Sequence, residues 1–142
     1  VQKYLNKISG PLLDRIDLHV EVTPVSFEEL SSKEKGESSA DIRERVMAAR
    51  ELQGSRYKEN EGVHANAQMS TKQLQVFCKL NPESQQLLKM AMTKLNLSAR
   101  AYDRILKVAR TIADLEKNKS ITSEHIAEAI QYRSLDREGW AG

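Results

Sequence analysis

Residues 98–116 (Ser-Ala-Arg-Ala-Tyr-Asp-Arg-Ile-Leu-Lys-Val-Ala-Arg-Thr-Ile-Ala-Asp-Leu-Glu) constrain the fold more than any other stretch of the chain. Tyr102, Ile105, Leu106, Ala109, Ile112 and Ala113 recur at three- and four-residue spacing, which puts them on one face of a helix. Arg100, Arg104, Lys107, Thr111 and Asp114 fall on the opposite face. Ser98 stands where a hydroxyl accepts from N–H groups that the first turn leaves unpaired. The apolar face must be covered, so the rest of the chain has to pack around this helix. Arg100 lies in the first turn, where the helix dipole disfavours a cation. From these residues alone two readings stand: a solvated surface arginine, or a cation placed for a negative partner.

The flanking segments carry the same helical pattern. Ser70 and Gln73 form a capping box ahead of Leu74, Phe77 and Cys78. Asn81-Pro82 opens another helix, with proline where its missing N–H costs nothing. Leu87, Leu88, Ala91, Met92 and Leu95 follow. Thr122 to His125 start a last helix whose buried stripe is Ile126, Ala129 and Ile130, with Tyr132 or Arg133 as its next member, and the tail from Leu135 through Trp140 is expected to fray. Further upstream, Ser39 is expected to cap a helix over 40–59, whose apolar side is Ile42, Val46, Ala49, Leu52 and Tyr57. Arg50, Arg56 and Lys58 crowd its remaining surface, either as paired charges on a wet face or as the lining of a nucleic-acid groove. These segments make a mainly α fold, a small helical bundle.

The N-terminal end reads differently. Ile16, Leu18, Val20 and Val22 alternate with Asp17, His19, Glu21 and Thr23, the period-two signature of a strand with one buried face. A single strand cannot satisfy its own ladder, and no second strand follows. We therefore expect a remnant of a larger sheet over 1–30, with Val1 to Ile8 ending a helix and Phe27 and Leu30 as anchors of one turn. A mobile linker is expected over 31–38, where no apolar residue occurs, and the helical domain over 39–142. His19 sits on the polar side of that strand and is expected to be incidental.

Composition limits the chemistry. With 142 residues, 39% apolar and 30% charged, the chain is sized for one compact domain. A net charge of +2 means that any basic surface must be local. The lone Cys78 rules out an internal disulfide, and His64 has no partner at metal-ligand spacing, so no metal site is expected. No run is long enough to span a membrane and no signal peptide opens the chain, so the expectation is a cytoplasmic protein without membrane partners.

Two stretches resemble a known family. Ser9-Gly10-Pro11-Leu12-Leu13-Asp14-Arg15-Ile16-Asp17-Leu18-His19-Val20-Glu21-Val22 is similar to the segment that closes the ATPase core in ComM-type, magnesium-chelatase-like AAA+ proteins. Leu97-Ser98-Ala99-Arg100, continuing through Tyr102 to Leu115, resembles the lid that follows this core. The resemblance implies that Arg15 is an arginine finger reaching the nucleotide of a neighbouring subunit in a homo-oligomeric ring. It implies that Arg100 is the sensor-2 arginine, touching ATP phosphates from the same subunit. It also implies ATP and Mg2+ as cofactors of the full-length protein, an N-terminal ATPase core as partner, and DNA remodelling or branch migration as the task. No Gly-x-x-x-x-Gly-Lys-Ser/Thr loop and no acidic Walker-B strand occur here, so the chain alone should neither hydrolyse ATP nor bind it tightly. The competing expectation is a stand-alone helical module that binds protein or DNA without ATP.

Overall fold

The computed structural model describes residues 8–32 and 35–133. Expectations for Val1 to Lys7, for Lys33 and Glu34, and for the tail with Trp140 lie outside the described residues. Among these, seven α-helices occur in the order α1 (Gly10–Leu13), α2 (Phe27–Ser31), α3 (Ser39–Arg56), α4 (Thr71–Phe77), α5 (Pro82–Lys94), α6 (Ala99–Leu115) and α7 (Ser123–Gln131). A 3-10 turn, Asn66–Gln68, lies between α3 and α4. The fold is a helical bundle, and α6 is its axis: α3, the 3-10 turn, α4 and α7 all pack on it, while α5 packs on α7.

The caps follow the sequence closely. Ser70 and Gln73 close the capping box of α4, Asn81 accepts from Ser84 N–H at the start of α5, and Ser98 accepts from Ala101 N–H at the start of α6. Ser38, not Ser39, caps α3, because its hydroxyl reaches the Asp41 N–H at 3.1 Å. At the start of α7 the imidazole does the work: Thr122 N–H donates to His125 Nδ1 at 2.9 Å. That bond fixes the tautomer, so Nε2 carries the proton toward Glu116, 2.8 Å away. Helix α6 stops in a six-residue closure in which Asn118 N–H donates to Ala113 O at 2.8 Å, forcing Lys117 to φ 57°.

The core is built from Leu74, Leu88, Ile105, Leu106, Ala109, Ala113, Ile126 and their neighbours, all almost fully buried. Tyr57 joins it, edge-on to Phe77 with ring centroids 5.4 Å apart. Cys78 is buried too, and desolvation pushes its thiol from 9.0 up to about 11.

Four expectations are corrected. Residues 16–22 have no strand partner among the described residues and carry no regular secondary structure, because a ladder requires backbone partners that the bundle does not offer. Phe27 and Leu30 anchor nothing here: they are 80% and 71% exposed. Helix α3 is docked at its C-terminal end, through Ala49, Gln53 and Arg56 and the Tyr57 that follows, while Ile42, Val46 and Leu52 are exposed. On α6 the faces are not as drawn from periodicity, for Tyr102 is exposed and Asp114 is buried.

Candidate functional site

Arginine and lysine side chains occupy two unlike settings around α6. The inner one centres on Asp114, 1% exposed. Its carboxylate accepts from both Arg56 terminal nitrogens, at 2.7 and 2.5 Å, from Arg110 Nε at 3.2 Å and from Asn66 Nδ2 at 2.9 Å. Arg110, itself buried, also donates to the carbonyls of Asn118 and Lys119, closing the end of α6. Asn66 N–H donates to Gln53, and Tyr57 O–H donates to Asn66 Oδ1, so α3, the 3-10 turn and α6 share one polar knot. The Asp114 hydrogen bond raises the Arg56 pKa above its usual value. A fork-shaped guanidinium matches a carboxylate in two bonds, so Arg56 is held inside the bundle. The fold therefore sets the three candidates for a nucleic-acid groove, Arg50, Arg56 and Lys58, in unlike positions. Arg50 and Lys58 remain exposed, while Arg56 is committed to Asp114.

The outer setting is an open cavity of about 350 Å³ lined by Arg15, Arg100, Asp103, Arg104 and Lys107. It lies against the N-terminal turn of α6, which has no acidic residue to offset the helix dipole. Two of its cations have protein partners. Arg104 Nη1 donates to Asp17 Oδ1 at 2.5 Å, and Lys107 Nζ donates to Ala67 O at 3.0 Å. Arg15 and Arg100 are both exposed, and neither makes an ion pair or side-chain hydrogen bond with any described residue. Four cations, one carboxylate and a helix N-terminus make a concavity suited to a polyanion such as a phosphate chain.

Arg15 reaches this cavity from the turn after α1, where Arg15 N–H donates to Leu12 O and Ile16 N–H to Leu13 O, both at 3.0 Å. The segment after it lies on the bundle. His19 N–H donates to Tyr132 O at 2.7 Å, and His19 is 6% exposed, buried where the polar side of a strand was expected.

A family profile described as "Magnesium chelatase, subunit ChlI C-terminal" matches residues 36–133, and one described as "Magnesium chelatase, subunit ChlI" matches residues 1–30. The chain belongs to the magnesium chelatase ChlI C-terminal family. Within that family it is 44% identical over 138 residues to "Competence protein ComM" of Haemophilus influenzae, covering 96% of this chain. It is 44% identical over 137 residues to "Uncharacterized protein YifB" of Escherichia coli, covering 95%. In both cases the match spans 26% of the relative, so the chain corresponds to about a quarter of these proteins.

For this member of the ChlI C-terminal family the structure brings together two arginines that sequence reading had treated separately. Sequence reading missed Asn66, Arg110 and Asp114, all buried, while Arg133, a candidate for the buried stripe of the last helix, is indeed buried. The one signal for Asp114 and Arg110 was their four-residue spacing on α6, which also fits an exposed ion pair. Nothing local marked Asn66, or the carbonyls that Arg133 meets. Among the described residues no group of three His, Cys, Asp or Glu side chains is arranged to hold a metal, and no helix is long and apolar enough to cross a membrane.

Proposed function

We propose that this chain is the lid, with an adjoining piece of the core, of a ring-forming AAA+ ATPase, and that its outer cavity receives the phosphate tail of ATP. The observation that carries this reading is that Arg15 and Arg100 line one cavity at the N-terminus of α6. In this reading residues 1–30 belong to the core, 31–38 join the two parts and 39–142 form the lid. The guanidinium groups, permanently charged and planar, would spread transition-state charge over phosphate oxygens. Mg2+ would be held by the core and by the nucleotide, since the described residues offer it no ligand cluster. When bound, Mg2+ neutralises developing phosphate charge. The work of this chain is to orient and hold the anion.

Sharing a cavity has a consequence for the ring. Both arginines meet the same phosphate tail, so they act from the same subunit on the same nucleotide. An arginine finger reaching a neighbour then brings Arg100 with it. The expectation that Arg100 serves its own subunit's ATP competes directly with this arrangement.

In the full-length protein, Arg15→Ala and Arg100→Ala should each lower ATP turnover by about 10³-fold or more, with helical content unchanged. Mixing the two variants in one ring decides between the arrangements. If each residue served a different nucleotide, mixed rings would regain intact sites and activity. With both acting from one subunit, mixed rings stay inactive. Unchanged turnover in both single variants would remove the reading altogether, leaving a helical interaction module without ATP.

The name of the Haemophilus relative includes the word competence. We extend that to DNA remodelling in the cytoplasm as the task of the ring, with the exposed Arg50 of α3 and the exposed Lys58 just beyond its end available to a DNA backbone. Binding of duplex DNA that weakens linearly in log salt, and less steeply in an Arg50→Ala/Lys58→Ala variant, is the expected result.

A further inference from the structure

Arg133 is the largest of the fully buried side chains, 1% exposed at the end of α7. A buried guanidinium is costly unless its N–H groups are met by acceptors. Two main-chain carbonyls on either side of Arg15 are among its acceptors. Arg133 Nη1 donates to Ile16 O, and Nη2 donates to Leu13 O at 3.4 Å. Two further contacts lie beside this one. Tyr132 O, one residue before Arg133, accepts from His19 N–H. Asp17, two residues after Arg15, is bonded to Arg104, one turn along α6 from Arg100. The turn that presents Arg15 is therefore tied to α6 directly, and to α7, which packs on α6.

We infer that Arg133 is a positioning residue: its guanidinium spans the backbone around Arg15 and fixes that turn against the lid, so that Arg15 and Arg100 approach a phosphate tail as one rigid pair. The inference rests on the reading of the outer cavity given above. A planar fork suits the task, because its donors diverge in fixed directions toward two carbonyls three residues apart. The Asp17–Arg104 pair is half-exposed and shares the load at the cavity side.

The structural half is tested on this chain. Arg133→Gln should speed amide exchange at Ile16 and His19 by about tenfold or more, while amides of Ile105 and Ile126 keep their protection. The functional half is tested in the full-length protein. Arg133→Gln should lower kcat by about tenfold to a hundredfold with KM nearly unchanged, since displacing a catalytic group by an ångström costs on that scale. Arg133→Lys, which keeps the charge and one donor direction, should recover part of the loss. Should Arg133→Gln fail to fold, Asp17→Asn removes the exposed tie and should show the same kcat-only loss in smaller measure. Full turnover in both Arg133→Gln and Asp17→Asn, while Arg15→Ala is inactive, overturns the positioning role and leaves the cavity reading intact. Normal turnover in Arg15→Ala overturns the cavity reading itself. A rise in KM equal to the fall in kcat would show that Arg133 merely holds the fold, and would overturn the inference too.

Discussion

The two basic clusters flanking α6 use the same side chains to opposite ends. Around Asp114 the guanidinium groups of Arg56 and Arg110 are matched by a carboxylate, two carbonyls and an amide, all supplied by the fold. Around the outer cavity, Arg15 and Arg100 stand exposed with no described partner, and the local carboxylates do not balance the cations. The inner cluster is complete without a ligand; the outer one is completed by an anion. What separates a structural arginine from a binding one is therefore where its neutralising charge comes from. Local sequence cannot tell the two apart.

The largest effect that would break this contrast concerns turnover. Loss of either outer arginine should remove ATP hydrolysis in the full-length protein yet leave the melting midpoint of this chain within error, measured by circular dichroism. A midpoint that falls steeply in Arg15→Ala or Arg100→Ala would make the outer cluster structural as well. The inner cluster should behave in reverse. Asp114→Ala takes the carboxylate from the buried Arg110 and the partly buried Arg56 and should cost about 3–5 kcal/mol in denaturant unfolding, enough to abolish folding of a marginal domain.

A third test uses pH to probe the packing between the two clusters. The Cys78 thiol is held protonated up to about 11 by desolvation, whereas in the unfolded chain it ionises near 9.0. Between those values the unfolded state releases a proton that the folded state retains, so stability falls as pH rises through the window. The loss should approach about 2 kcal/mol at the top of the window, and Cys78→Ala should flatten that part of the profile. Smaller still is the gain from Lys117→Gly. Its left-handed backbone favours glycine, and stability should rise by about 0.5–1 kcal/mol. The least is expected from the surface pair Arg45–Glu37, in which Arg45 holds the Glu37 carboxyl below its usual value. Glu37→Gln should leave the melting midpoint unchanged at high salt, because exposed pairs are screened.

Much of the bundle was legible along the chain. The capping box at Ser70, the Asn81-Pro82 start and the period of α6 are local signals, each governed by hydrogen bonds or spacing within a few residues. Arg100 was legible as a candidate for a related reason: a cation in the first turn opposes the helix dipole, which is visible without tertiary information. Helix α3 was misread, since its apolar residues promise a buried face that this fold does not cover. Residues 16–22 carry a strand's alternation without its structure, because the pattern marks a face while a ladder needs the neighbouring strand that this chain was read to lack.

The sequence by itself determined the main helices, most of their caps and the suspicion of Arg100 through short-range spacing and side-chain chemistry, and the family resemblance added Arg15. Only the tertiary structure decided that Arg56 turns inward to Asp114, that Arg15 and Arg100 share a cavity, and that Arg133 grips the backbone around Arg15. Those outcomes depend on which distant groups meet. A charge acquires its role from the partner that folding places beside it, and no periodicity in the chain encodes that meeting.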